Sequence, residues 1–216
     1  MRFIYLLIFS VLASCAHVVI EERLVPSMDK PSIELDTKVY HPSDISNILT
    51  LDEIELFIDT NNYETSYKGL KVAGIELNKE TNSKNKKSDA LVLILGIKVK
   101  KDEKYVFHPY EIIASKNVKG SISIAKPISV FRTNSGITCD YDFNGVEWGG
   151  DSTKIKNKTI DLLKVHEDGY ECFNVVFDTT ISSLDELTIS MKKSLSPLKQ
   201  TEIYFQQKKI KWIRGN

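Results

Sequence analysis

Residues 90–99 read Ala-Leu-Val-Leu-Ile-Leu-Gly-Ile-Lys-Val, and this nearly continuous apolar stretch decides the fold class. A short apolar run of this kind predicts a central β-strand that is covered on both faces at its start. Its second half alternates, so Ile97 and Val99 are expected to face a core while Lys98 and Lys100 face solvent. The stretch therefore predicts a sheet with a buried middle strand.

Apolar residues recur at every second position in many other short stretches, which is the period of a β-strand. No long stretch has a helical period, and short helical turns are predicted only at 43–49 and 182–187. A phase slip at Gly74 predicts a β-bulge. Many short strands at close spacing favour an antiparallel β-sandwich. The alternating positions are Ile54, Leu56 and Ile58; Leu70 and Val72; Ile75 and Leu77; Ile122 and Ile124; Ile128 and Val130; Leu187, Ile189 and Met191; Ile203 and Phe205; and Ile210 and Trp212.

A seven-residue pattern occurs twice. Residues 39–45 read Val-Tyr-His-Pro-Ser-Asp-Ile, and residues 106–112 read Val-Phe-His-Pro-Tyr-Glu-Ile. Two related sandwich halves, with a sub-boundary near 101–104, would explain the match, and chance is the alternative. Each His-Pro pair stands where a strand would end in a turn, so we expect turns there rather than a metal site shared by His41 and His108.

Composition limits the choice of partners. The chain has 216 residues, 42 % of them hydrophobic, with 29 basic and 29 acidic side chains. This length suits one large domain or two small ones, and the hydrophobic fraction suffices for a core. Binding to nucleic acid needs a basic excess or stripe, so we expect no nucleic-acid partner.

The N-terminal residues predict export. Met1-Arg2 precedes an apolar stretch too short to span a bilayer and then small residues, which is typical of a secretory signal peptide. Leu12-Ala13-Ser14-Cys15 resembles the lipobox of bacterial lipoproteins. The resemblance implies that residues 1–14 are removed and that a lipid on Cys15 anchors the protein in a membrane of the cell envelope. Ala16-His17 lacks the Asp that would retain an enteric lipoprotein, which implies the outer membrane.

Residues 15–35 are predicted to form a lipidated tether. Pro26, Pro31 and several charges leave only short apolar runs in this segment. The β-sandwich domain is then expected to cover residues 36–216.

The two remaining cysteines are Cys139 and Cys172. Export places them in an oxidising compartment, so we expect a disulfide. In the chain-entropy model the closed loop would stabilise the fold by about 3–4 kcal/mol. Two buried free thiols are the alternative.

The Asp-rich segment 137–151, Ile-Thr-Cys-Asp-Tyr-Asp-Phe-Asn-Gly-Val-Glu-Trp-Gly-Gly-Asp, has two interpretations. In the first, Asn144-Gly145 is the turn of a two-residue hairpin whose strands direct Cys139 to the core. In the second, the segment resembles a calcium loop of the D-x-D-x-N-G type, with Asp140, Asp142, Asn144 and Asp151 as ligands. The hairpin is favoured because the calcium loop lacks its final Glu. However, the hairpin register places Asp142 opposite Glu147, a repulsion that a cation would relieve.

No catalytic signature is present. The sequence has no G-x-S-x-G elbow, P-loop, G-x-G-x-x-G or H-E-x-x-H motif. We therefore predict that the protein is not an enzyme, with an envelope enzyme that lacks recognisable motifs as an alternative. No cofactor is expected, apart from the calcium that the loop could hold.

Residues 91–115 resemble part of the Ig-like domains of bacterial lipoproteins. An apolar strand, a charged turn at 102–104 and the stretch Tyr105 to Ile112 carry the similarity, together with Val176-Phe177-Asp178 and the Leu184, Leu187, Ile189 pattern. The resemblance implies an antiparallel Ig-like β-sandwich used for binding or assembly. We therefore expect a lipid-anchored envelope lipoprotein that binds a protein partner, with a calcium-dependent ligand-binding or adhesion module as the alternative.

Overall fold

The computed structural model describes residues 15–31, 38–51, 53–61, 63–72, 75–83, 90–100, 104–133, 139, 153–162, 169–181, 186–198 and 202–215. Within these residues the chain forms strands and two short 3₁₀ turns, Pro42–Asp44 and Pro109–Glu111. The strands are β1 (Cys15–Ser27), β2 (Val39–Tyr40), β3 (Ile48–Leu51), β4 (Ile54–Thr60), β5 (Tyr63–Val72), β6 (Ile75–Ser83), β7 (Leu91–Val99), β8 (Tyr105–Phe107), β9 (Ile113–Val118), β10 (Ser121–Ala125), β11 (Pro127–Arg132), β12 (Thr153–Lys154), β13 (Ile160–Leu162), β14 (Glu171–Phe177), β15 (Glu186–Ser190), β16 (Leu195–Ser196) and β17 (Glu202–Gly215).

The strands form two large sheets and one small one. The eight-stranded sheet has the order β10-β9-β15-β17-β1-β5-β6, and β2 pairs with β17 in parallel. The six-stranded sheet has the order β12-β11-β14-β7-β4-β3, and the three-stranded sheet has the order β13-β8-β16. Apart from the β2–β17 pair, the paired strands are antiparallel. The predicted mainly β, antiparallel sandwich is confirmed.

The core lies between the two large sheets. The inward side chains of β4 and β7 are buried completely or nearly so, and they pack with those of β9, β14, β15 and β17 in one cluster. β7 lies between β4 and β14, and its first seven residues are buried on both faces. The apolar stretch of the sequence therefore forms the covered middle strand that it predicted.

The tether prediction for residues 15–35 is wrong for its first part. Residues 15–27 form β1, which pairs with β17 on one side and with β5 on the other. Val18 and Leu24 are each 1 % exposed. Charges at 21–23 interrupt the apolar residues of this strand in the sequence, and the fold accommodates these charges by pairing: Arg23 Nε lies 3.1 Å from Glu21 Oε2, and Lys209 Nζ lies 3.6 Å from Glu22 Oε1.

The repeated His-Pro pattern has a local structural meaning. In both copies a short strand, β2 or β8, leads into a 3₁₀ turn that begins with the proline. His41 Nδ1 accepts from the backbone N–H of Ser43 at 3.4 Å, whereas the side chain of His108 makes no such cap. The predicted turns are confirmed.

The chain is not divided near 101–104. Strands from both sides of this point pair within each large sheet, as β1 with β17 and β7 with β14. The two-half interpretation of the repeat is therefore wrong. The bulge predicted at Gly74 and most of the turn predicted at 182–187 lie outside the described residues. No helix among the residues described above has the length and apolar character needed to cross a membrane.

Candidate functional site: an open edge strand

A tight hairpin joins β9 to β10 at the edge of the eight-stranded sheet. Lys119 and Gly120 form its two-residue turn with φ of 50° and 87°, values typical of a type I′ turn. Asn117 Oδ1 accepts from the backbone N–H of Gly120 at 3.0 Å, and Asn117 Nδ2 donates to Glu186 Oε2 at 2.8 Å. The hairpin is thus fixed at its turn and tied to β15.

β10 is the end strand of this sheet among the described residues, with β9 as its partner on one side. In a two-residue hairpin the two residues that flank the turn form a hydrogen-bonded pair, and here these are Val118 and Ser121. Along the ladder, hydrogen-bonded pairs then alternate with pairs that are not hydrogen-bonded to each other. Ser121, Ser123 and Ala125 therefore direct their backbone groups to β9. The N–H and C=O groups of Ile122 and Ile124 point to the open edge.

The same two isoleucines expose their side chains. Ile122 is 69 % exposed and Ile124 is 70 % exposed, and they lie on one face because their positions differ by two. Downstream, Ile128 is 59 % exposed. Among the described residues, no strand pairs with this edge of β10, so the strand offers backbone groups together with an apolar stripe, which is the combination that binds an added strand.

The sequence analysis predicted a strand at Ile122 and Ile124, and that strand is confirmed. The pattern cannot by itself show that this strand stands at the edge of a sheet, where residues 121–124 are exposed on both faces. One signal was present: Ser121, Ser123 and Ala125 bring little apolar area to a core.

A cavity of about 270 Å³ lies where β1 and β17 meet β3 and β4. Its walls combine apolar side chains with a few polar ones, among them Arg23, Leu24, Asn47, Phe57, Asp59 and Trp212. Arg23 connects the polar groups: its Nη1 lies 3.9 Å from Asp59 Oδ2, and its guanidinium carbon lies 5.7 Å from the centre of the Trp212 ring. Burial raises the pKa of Asp59, and the charge of Arg23 opposes that rise. Such a lining suits a small ligand with an apolar face and few hydrogen-bonding groups.

The predicted disulfide is present between Cys139 and Cys172, whose Cα atoms are 5.5 Å apart. It lies on the outer face of the six-stranded sheet, in a small cluster with Ile94, Tyr170 and Phe57. Beside it, Tyr170 Oη donates to Glu55 Oε1, and Lys100 Nζ lies 3.3 Å from Glu55 Oε2. The disulfide in this cluster links β14 covalently to the segment that contains Cys139.

The proposed calcium ligands Asp140, Asp142, Asn144 and Asp151 lie outside the described residues, as does the segment 1–14 that is predicted to be removed. The backbone of Cys15 begins β1, opposite Val72 of β5. Among the described residues, there is no cluster of three or more His, Cys, Asp or Glu side chains that could hold a metal ion.

No protein-family model, no curated protein and no solved structure matches the chain.

Proposed function

We propose that this protein is a lipid-anchored lipoprotein of the cell envelope that binds a protein partner through β10 and has no catalytic role. The lipobox-like Leu12-Ala13-Ser14-Cys15 supports the anchor. The similarity to Ig-like domains supports a role in binding or assembly. The observation that carries the proposal is the open edge of β10, where Ile122 and Ile124 are about two-thirds exposed.

Edge strands normally carry features that prevent pairing with other chains. Charged residues, prolines and bulges are the usual protections. Residues 121–125, Ser-Ile-Ser-Ile-Ala, contain no charge and no proline, and their register against β9 is regular. An edge of this kind is a hazard unless a partner covers it, which supports a docking role.

The geometry defines the kind of partner segment. An extended segment would add to β10 as a further strand and hydrogen-bond with the backbone of Ile122 and Ile124. Apolar side chains at alternate positions of that segment would contact the two isoleucines. The strand itself contributes no charge, so we expect binding to depend little on salt.

The test compares two charge insertions in living cells. In the first variant, Ile122→Lys and Ile124→Lys place two charges on the edge. The control carries Ile213→Lys, since Ile213 is 57 % exposed but lies on β17. Cells are crosslinked, and the protein is purified through a C-terminal tag.

We expect a defined envelope protein to copurify with the wild type and with the Ile213→Lys control, and to be lost from the β10 variant. Retention of the partner by the β10 variant would contradict the docking site, and recovery of the bare protein from wild-type cells would contradict the assembly role. Replacement of residues 1–15 by a cleavable signal peptide followed by Ser should release the protein from the membrane fraction, because the chain then carries neither a lipid nor the apolar N-terminal segment. A membrane-bound protein from this variant would contradict the anchor.

A further inference from the structure

A second cleft, of about 610 Å³, lies at the end of the six-stranded sheet, away from the cavity beside Trp212. One wall is the segment that runs from β12 to β13, and the other is Arg132 at the end of β11. Three cations and one carboxylate line it, together with neutral hydrogen-bonding groups. The polar lining residues are Arg132, Thr153, Lys154, Lys156, Asn157, Thr159 and Asp161.

The wall is held in place at several points. The backbone N–H of Ile155 donates to the carbonyl of Val130 at 2.8 Å, and Tyr110 Oη donates to the carbonyl of Ile155 at 2.7 Å. At its far end, β13 pairs with β8. The segment is therefore held by backbone and side-chain hydrogen bonds at both of its ends.

This anchoring positions two lysines. Ile155 packs against the main core, and the residues on either side of it, Lys154 and Lys156, both line the cleft. Both lysines are exposed, and neither pairs with an acid among the described residues. Two positive charges thus line one side of the cleft.

A buried carboxylate fixes the third cation. Arg132 Nη2 pairs with Glu171 Oε1, and the side chain of Glu171 is only 2 % exposed whereas that of Arg132 is 50 % exposed. Glu171 thereby holds the guanidinium of Arg132 at the cleft. Half of the Arg132 side chain stays exposed, so N–H groups that do not face Glu171 can reach a ligand. A guanidinium in a fixed position is the group that best binds two oxygens of a phosphate.

We propose that this cleft binds the phosphate group of a phosphorylated polyol or sugar. Arg132, Lys154 and Lys156 would contact the phosphate oxygens. Asn157, Thr159 and the carboxylate of Asp161 would hydrogen-bond with hydroxyl groups of the polyol. A soluble compound and the headgroup of a phospholipid both offer this chemistry. The site is separate from β10 and does not depend on the proposed partner.

The test uses residues 15–216 with Cys15→Ser, which keeps every residue that the structure describes, so that neither a lipid anchor nor the apolar segment 1–14 masks binding to vesicles. Line broadening in the ³¹P spectrum reports binding of sn-glycerol 3-phosphate. Cosedimentation compares vesicles of phosphatidylcholine alone with vesicles that also contain phosphatidylglycerol. The variant is Lys154→Gln with Lys156→Gln, because loss of Arg132 would leave Glu171 buried without its partner. The matched control is Lys192→Gln with Lys193→Gln, which removes the same charge from exposed positions outside the cleft.

We expect one of the two phosphate sources to bind the wild-type cleft, and to bind the Lys154/Lys156 variant about tenfold more weakly while the control binds as the wild type does. Binding of glycerol 3-phosphate alone would identify a soluble ligand, and selective binding to phosphatidylglycerol vesicles would identify a lipid headgroup. The proposal is overturned if neither source binds, if the cleft variant binds normally, or if the control loses as much affinity as the cleft variant.

Discussion

Glu55 shows how one side chain connects three parts of the six-stranded sheet. From β4 it accepts a hydrogen bond from Tyr170, which precedes β14, and pairs with Lys100, which follows β7. The pKa of Glu55 is lowered, mainly by the hydrogen bond from Tyr170, with burial acting in the opposite direction. The folded state therefore favours the ionised carboxylate.

Replacement of Tyr170 by Phe should destabilise the fold by about 1–2 kcal/mol at neutral pH, since a hydrogen bond to a charged group is lost. Because the pKa of Glu55 is lowered on folding, its contribution is complete above the unfolded value of about 4.5 and is lost as pH falls through the folded value. The difference between wild type and variant should thus shrink at acidic pH. Urea unfolding over a pH series measures it.

Tyr204→Phe is the matched control. Tyr204 Oη also donates to a glutamate, Glu202 Oε2, at 2.9 Å, but this pair is exposed. We expect no measurable change in stability for this variant. If the two substitutions lower the free energy of unfolding equally, burial of Tyr170 does not strengthen its hydrogen bond to Glu55, and the prediction is wrong.

Gly96 is required by the disulfide that packs on it. A Cβ at this position would lie 2.5 Å from Cys139 Sγ and 3.1 Å from the Cβ atoms of Phe57 and Tyr170. Gly96→Ala should therefore cost about 1–3 kcal/mol by overpacking. The cost of Gly96→Ala in thermal unfolding should be smaller when Cys139 and Cys172 are both replaced by Ala, because the closest atom, Cys139 Sγ, is then absent. A Gly96→Ala variant as stable as wild type would contradict this contact.

At the residue scale the sequence could predict the Cys139–Cys172 bond, since only two cysteines remain once Cys15 is assigned to the lipid. It could not predict the contact between Glu55 and Tyr170. These residues are 115 positions apart, and nothing in the local pattern of either one refers to the other. The same holds for Arg132 and Glu171.

At the scale of elements, alternation predicted the buried strands well. Ile54, Leu56 and Ile58 are all fully buried, as β4 requires. Alternation failed for β1, where charged residues interrupt the pattern and form ion pairs within the strand and with β17. It also could not show that Ile122 and Ile124 face outwards, because that depends on where β10 stands in the sheet.

The turn between β9 and β10 can be improved. Lys119 has φ of 50°, a left-handed conformation that is costly for Lys and more tolerable for Asn. Lys119→Asn should therefore raise the free energy of unfolding by up to about 1 kcal/mol. For a domain of this size, about 1 kcal/mol corresponds to a rise of about 2–4 °C in the melting temperature.

Gly120→Ala should lower the melting temperature. The φ of Gly120 is 87°, which strains any residue with a Cβ even though open space surrounds this position. A melting temperature that falls with Lys119→Asn would contradict this view of the turn.

At the scale of the whole molecule, composition and strand spacing predicted an antiparallel sandwich but not its topology. The middle of the eight-stranded sheet joins β1 to β17, from opposite ends of the sequence. No local pattern encodes that pairing. For this reason the sequence predicts a tether where β1 lies, and its short repeat predicts two halves where the strands form shared sheets.

Calcium binding remains a prediction about the whole domain. If Asp140, Asp142, Asn144 and Asp151 hold calcium, a concentration one hundredfold above the Kd should stabilise the fold by about 2.7 kcal/mol. Melting in calcium and in chelator should then differ by several degrees. Asp142→Asn should reduce that difference. Identical melting curves would exclude the calcium-dependent alternative.

The position of β1 also has a mechanical consequence. Its twelve register pairs with β17 run from Ala16 opposite Gly215 to Ser27 opposite Tyr204, so both ends of the described chain leave the sheet side by side. A force that separates these two ends would open the ladder one pair at a time, as a zipper opens. A pull on Cys15 along the strand would instead load the ladders to β17 and β5 together. A domain anchored at Cys15 would thus resist shear from its membrane while yielding easily to a force that parts its termini.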